Sequence, residues 1–230
     1  MSCDFRSSRK SNDNCPMTTK LLYFHDPMCS WCWAFRPVWT DLCNQLPRDL
    51  TVQRVVGGLA PDSDEPMSLD MRLKLKGIWQ TIQERVPGTR FNFEFWEKCT
   101  PRRSTYNACR AVLAAARLSS AHEDPMIHAI QQAYYLDARN PSDITTLVDL
   151  AAEIGFDRTL FSAEIQSPSV QGQLYDEITF ARSAPINGFP SLVVQTPSGL
   201  HPVDLAYRDA VPMLRQIEMI LNAVVGPSIG

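Results

Sequence analysis

The chain has 230 residues, 44% of them apolar and 20% charged, with a net charge of −3. That length allows one real core, or one core with an insertion. The charge balance excludes a nucleic-acid surface and a polybasic membrane patch, and no apolar run reaches the length of a membrane span.

Residues 1–18 are polar, basic in the middle and without an apolar h-region, so they read as a flexible tail and not as a secretory signal. Met17, just before the first apolar run, is an alternative start. Residues 20–25 (KLLYFH) then form a short apolar strand that ends at Asp26-Pro27. From Cys29 to about residue 46, Trp33, Val38, Trp39, Leu42 and Leu46 recur at helical spacing, with a kink expected at Pro37. Residues 51–57 are β-branched and read as a second strand, giving a β-α-β unit with a parallel pair.

Six helical patterns follow with no strand between them: 67–86, 104–118, 123–137, one from Ser142 or Asp143 closed by Gly155, 157–165 and 168–182. Ser104 is positioned to cap the second of these, Gly155 to occupy C′ of the fourth, and Pro168 to open the last. Strands at 191–195 and 200–205 flank a Pro197-Ser198-Gly199 turn, and 209–224 is a closing amphipathic helix. The helical block is too long for a loop. The order predicts an α/β chain with residues 1–18 as tail, 19–65 and 183–226 as one discontinuous sheet domain, and 66–182 as a helical insertion.

The chemistry concentrates in Asp26-Pro27-Met28-Cys29-Ser30-Trp31-Cys32-Trp33. Cys29 falls at a helix N-terminus, where free N–H groups and the positive end of the helix dipole favour a thiolate; its pKa is expected below the free value of about 8.5. Cys32 lies one helical turn on, within reach of a disulfide. Cys29 can therefore attack a substrate disulfide and Cys32 can resolve the mixed disulfide. Half a zinc site is the competing interpretation, but Cys99 and Cys109, and His122 and His128, are not at ligand spacing, so no metal or cofactor is expected. With seven irregularly spaced cysteines and no export signal, a cytoplasmic protein is expected, in which a close pair is redox-active and not structural. Asn187-Gly188-Phe189-Pro190 precedes the third strand; a cis Phe189–Pro190 bond would turn the Phe189 backbone toward the cysteines, where it could hold an incoming peptide.

These residues resemble the DsbA branch of the thioredoxin superfamily and, within it, the FrnE-like disulfide isomerases. The resemblance rests on the Cys29-Ser30-Trp31-Cys32 motif, on Pro37, on Asn107-Ala108-Cys109-Arg110-Ala111-Val112 and on Gly188-Phe189-Pro190-Ser191, and it spans about residues 20–224. It implies a thioredoxin-like fold with a large all-helical insertion over the active site. Phe189 departs from the smaller residue usual before the cis-proline, and the second redox pair of some relatives is absent. Trp31, Phe189 and Pro190 are the expected contacts for protein or peptide disulfides. His25 and Asp26 could tune Cys29 or shuttle a proton, with a structural capping role as the plainer alternative. Trp33, Cys43 and Cys109 read as packing residues and Arg102-Arg103 as a solvated surface pair. A glutathione-dependent transferase or isomerase on the same fold is the alternative function, although such enzymes commonly carry serine in place of the cysteine. A non-enzymatic binding module is a third. The thiol electron donor is not readable from the sequence.

Overall fold

The computed structural model describes residues 19–225; the expected tail and the Met17 start lie outside these residues. In chain order the elements are β1 (Lys20–His25), α1 (Ser30–Gln45), β2 (Thr51–Val56), α2 (Leu69–Arg85), α3 (Phe95–Lys98), α4 (Tyr106–Leu118), α5 (Glu123–Tyr135), α6 (Ile144–Glu153), α7 (Arg158–Ile165), α8 (Pro168–Ser183), β3 (Ser191–Thr196), β4 (Gly199–Val203) and α9 (Val211–Val225). The sheet order is β2-β1-β3-β4, with β1 parallel to β2 and both other pairs antiparallel.

Alternation along β1 divides the core. Leu21 and Tyr23 pack with Phe35, Trp39 and Leu42 of α1 and with Met213 and Ile217 of α9. Leu22 and Phe24, on the opposite face, meet Val55, Val193 and the α8 residue Ala181. The other end of α8, through Val170 and Leu174, joins a separate core built on α4, α5, α6 and α7. One helix thus touches both the sheet and the helical block. At the sheet edge, the Val56 amide donates to Glu177 of α8 at 2.8 Å, which satisfies a donor that an edge strand would otherwise leave open.

The helical patterns are set by local signals. Ser68, Asp157 and Ser167 accept from the backbone N–H three residues on and so cap α2, α7 and α8; Pro168 occupies the first turn of α8. Gly155, at φ +104°, follows α6 in the left-handed conformation. Pro202 sits on β4, an edge strand, where a missing donor is tolerated. Between β2 and β3 the only strand-like pairing among the described residues is an isolated bridge, Pro66 to Arg102.

α1 runs as one helix across Pro37. Three sequence expectations need correction or refinement. The single-turn α3 lies in an aromatic stretch where no helix was anticipated. Ser104 does not cap α4: Thr105 holds the N-cap position and its side chain makes no cap bond, because its hydroxyl is turned to Asp26 instead. Arg102 is not a solvated surface residue; its guanidinium donates to the Ser142 carbonyl at 2.5 Å and to Asp143 at 2.6 Å, pinning the segment before α4 to the start of α6.

Candidate active site

β1 ends in a buried turn made by Asp26. Its Oδ1 accepts from the Met28 amide at 2.8 Å, and its carbonyl accepts from the Cys29 amide at 3.0 Å. The turn delivers Cys29 to the N-cap of α1 in an extended conformation, with no acidic residue in the first turn to compete for the open N–H groups. Cys29 is 7% exposed and Cys32, one turn deeper, is fully enclosed; both are free thiols. Burial pushes the Cys32 thiol well above its ordinary range, and the neighbouring Cys29 adds to the rise.

The loop before β3 closes over this pair. Phe189–Pro190 is a cis peptide, and the Cys29 thiol donates to the Phe189 carbonyl at 3.4 Å, across 160 residues of chain. Phe189 lies over Gly57: a Cβ there would fall 1.8 Å from the end of the ring. The large residue before the proline is thus accommodated by the absence of a side chain at the end of β2. A cleft of about 410 Å³ is lined by Trp31, Arg85, Asn187, Phe189, Pro190 and Tyr207, and a larger cavity of about 920 Å³ runs along the flank of α1; neither is lined by a cysteine. The smaller one adjoins the pair through Phe189, whose carbonyl meets the Cys29 thiol.

Trp31 packs edge-on against Tyr207, with ring centroids 5.4 Å apart. Trp33 is half-buried, stacked on Tyr135 and bonded through its indole N–H to the Arg90 carbonyl at 3.0 Å. Tyr135, on α5, also donates to the Met28 carbonyl at 2.7 Å, so the helical block grips the active-site turn directly.

Asp26 is completely buried. Its Oδ2 accepts from the Leu59 amide at 2.8 Å, from the Thr105 hydroxyl at 2.7 Å and from the Cys109 thiol at 3.6 Å. Burial raises its pKa, and these donors partly oppose the rise. His25 is separated from this role. It stacks on Tyr23, neither ring nitrogen has a hydrogen-bond partner, and burial lowers its pKa to about 3. It is neutral near pH 7 and supplies no imidazolium to the sulfur. Cys43 is only partly buried, and burial pushes its thiol up to about 11.

Cys29, Cys32, Asp26, Trp31, Phe189 and Pro190 therefore converge on one end of the sheet. Gly57, Tyr135 and Thr105, and the approach of Cys109 to Asp26, were not anticipated. The Gly57-Gly58 pair and the Cys109 segment were visible signals, but what they face is not encoded nearby in the chain. Among the described residues no group of three or more His, Cys, Asp or Glu side chains is placed to hold a metal ion, and no helix is long and apolar enough to cross a membrane.

A strand, a helix-capping Cys-x-x-Cys pair and a facing cis-proline loop are a recognisable combination. The DSBA-like thioredoxin domain model matches residues 20–208. The chain belongs to that family. A protein disulfide isomerase candidate from Nitrosomonas europaea is 27% identical with a TM-score of 0.76, covering 89% of this chain and 97% of its own. The cytosolic disulfide reductase DsbM from Pseudomonas aeruginosa is 23% identical with a TM-score of 0.71, covering 88% of this chain and 98% of its own. The ClpXP adapter protein SpxH of Bacillus subtilis (strain 168) is 22% identical over 173 residues, 75% of this chain; the match spans only 57% of that protein. The FrnE-like subgroup is not distinguished by these matches.

Proposed function

We propose that this chain is a thiol–disulfide oxidoreductase that reduces or isomerises protein or peptide disulfides in the cytoplasm. Cys29 is the nucleophile and Cys32 the resolving thiol. The observation that carries this reading is the asymmetry of the pair: Cys29 caps α1, keeps a trace of exposure and has its sulfur on the carbonyl of Phe189, a residue of the cleft wall, while Cys32 is sealed behind it.

Cys29 sulfur attacks a substrate disulfide; a Cys29–substrate disulfide forms and the other substrate sulfur leaves with the electron pair. Cys32 then attacks Cys29 sulfur, and the proton it gives up ends on the departing substrate sulfur. The Cys29–Cys32 disulfide forms and the second substrate sulfur departs. The substrate has gained two electrons, and an external thiol must return two to the enzyme. When another substrate thiol resolves the mixed disulfide first, the result is isomerisation with no net electron transfer. Trp31, Phe189 and Pro190, on the cleft wall, hold the incoming chain. The helical residues 66–182 act as a cover anchored through Tyr135 and Thr105.

The direction of electron flow follows from what surrounds the sulfur. A strong oxidant stabilises its reduced thiolate, as DsbA does at about −120 mV against about −270 mV for thioredoxin. Ser30 and Trp31 bring no cation between the cysteines, and His25 is neutral. DsbM, described as a cytosolic reductase and solved also with GSH, supports the reductive and cytoplasmic reading and makes glutathione a reasonable donor to test.

Cys29→Ser is expected to abolish insulin-disulfide reduction, and Cys32→Ser to accumulate mixed disulfides. Faster alkylation of Cys32 than of Cys29 near neutral pH would reverse the assignment. A Cys32→Ser variant that retains full turnover with glutathione conjugates would instead favour the glutathione-dependent transferase.

A further inference from the structure

The cleft at the Phe189–Pro190 loop and the cavity of about 920 Å³ along α1 share a wall residue, Tyr207. Arg85 lines the cleft, and Val86, next in the chain, lines the cavity; Arg208, next after Tyr207, lines the cavity too. The two hollows are successive stretches of one groove. Its walls are held in place. The Arg208 guanidinium donates to the Arg85 carbonyl at 2.9 Å, tying the segment after β4 to the end of α2. The Trp33 indole N–H fixes the Arg90 carbonyl to α1, and Phe91 stacks on the buried Trp79 with ring centroids 4.8 Å apart. A groove formed before its ligand arrives spares the cost of ordering it, and the larger stretch has the volume that encloses a drug-sized ligand or a short peptide segment.

The charge of this groove runs against that of the chain. The net charge is −3, yet no aspartate or glutamate lines either stretch. Four arginines do. Arg36 is already paired, with Asp124 at 2.7 Å. Arg85, Arg90 and Arg208 are exposed, and among the described residues none of them pairs with a carboxylate. They are spread along the groove: Arg85 on the cleft, Arg208 where the two stretches join, Arg90 in the cavity.

We infer that, given the oxidoreductase role proposed above, this groove binds an acidic segment of the substrate chain next to the disulfide presented at Phe189–Pro190. A chain bearing several carboxylates meets the three guanidiniums in turn, while its apolar atoms lie on Trp33, Pro37, Val86 and Tyr207. A basic segment is repelled by the same walls. A small anion would meet one end of the groove and leave the rest uncovered. Because the three arginines face water, they act on partner choice and on the rate of encounter, and salt weakens their effect.

The test uses three disulfide-bonded peptides that differ only in the residues flanking their cysteines: aspartate, glutamine or lysine. Pre-reduced full-length protein, in excess, is mixed with each, acid-quenched, and the reduced peptide is read by mass, so no external thiol is needed. At low ionic strength the aspartate peptide should react about fivefold faster than the glutamine peptide, and the lysine peptide more slowly than either. The preference should shrink toward one in about 0.5 M salt. Arg90→Gln with Arg208→Gln should bring the aspartate-to-glutamine ratio to within about twofold of one, and Arg90→Lys with Arg208→Lys should keep it, since charge is what is read. Arg90→Glu with Arg208→Glu should turn the preference toward lysine. Equal rates for the three peptides with wild type would overturn the inference and leave the oxidoreductase function standing. So would a glutamine double variant that slows all three alike and keeps their ratios, which marks a packing role. Glutathione disulfide slowed by that variant, with no aspartate preference among the peptides, would assign the groove to a small anionic ligand instead. If wild type reduces neither the peptides nor insulin, the proposed function falls and this inference with it. Should the double variant not fold, Arg90→Gln alone should lower the ratio, because the Arg90 guanidinium has no hydrogen-bond partner among the described residues to lose.

Discussion

At the residue scale, two side chains reveal how tightly the site is constrained. His25 is buried with both ring nitrogens unpartnered, a state that favours neutrality. Because its folded pKa is lowered to about 3 from an ordinary 6.5, the unfolded chain binds more protons than the folded one between those values. Stability contributed by this neutral histidine is complete above about pH 6.5 and is lost as the pH falls toward 3. His25→Phe keeps the stack on Tyr23 and removes the unpaired atoms. It should gain about 1–3 kcal/mol in urea unfolding, with the larger gain at pH 4 than at pH 7; parallel pH dependence of wild type and variant would count against this account. Gly57 is constrained differently, by close approach. Gly57→Ala places a methyl inside the Phe189 ring, which must move and take its carbonyl away from Cys29. A loss of stability of about 1–3 kcal/mol is expected, together with slower insulin-disulfide reduction. Phe189→Ala on that background should recover stability, so that the double mutant is better than the sum of the singles. Simple additivity would show that the two residues do not meet.

At the element scale, the N-terminus of α5 ties the helical block to the sheet. Asp124 pairs with Arg36 of α1 at 2.7 Å and with Arg54 of β2 at 3.4 Å, and Glu123 pairs with Arg54 at 3.0 Å. Both acids also complement the positive end of α5. The arginines are mostly enclosed but the Asp124 side chain is 42% exposed, so solvent screening discounts the bond. Asp124→Ala should cost about 1–2 kcal/mol, with part of the difference disappearing in high salt; urea unfolding at two ionic strengths measures both. No salt dependence and no loss would show that α5 is held by its apolar contacts alone. The elements themselves were largely legible, because helix periodicity, caps at Ser167-Pro168 and the turn at Gly199 act over a few residues. α3 was not, since four residues cannot display a 3.6-residue period.

At the scale of the whole molecule, redox poise and folding are linked. If the pair is a reductant, its disulfide form is the more stable one; a strong oxidant shows the opposite order. The oxidised protein should therefore unfold at a higher temperature than the reduced one, and the potential should lie nearer −270 mV than −120 mV on the scale where those values mark thioredoxin and DsbA. Differential scanning calorimetry of both forms, with an equilibrium titration against glutathione, checks the pair of statements. A reduced form that outlasts the oxidised one, or a potential above roughly −150 mV on that scale, would make the protein an oxidant.

The sequence alone determined what depends on neighbours along the chain: the strand that ends at Asp26, the cysteines one helical turn apart at a helix start, the proline opening β3, and the long helical stretch between the two halves of the sheet. Each is a short-range signal, set by backbone geometry and residue chemistry. Only the tertiary structure decided which distant groups meet. Thr105 has the sequence context of a helix cap, yet its hydroxyl is claimed by Asp26, 79 residues away. Cys109 has the composition of a core residue and is one, but its thiol faces the same carboxylate. His25 sits beside the redox motif, and the alternation of β1 turns it into a stack with Tyr23. A buried polar atom takes the partner that packing brings within about 3 Å, and packing is a property of the folded chain as a whole.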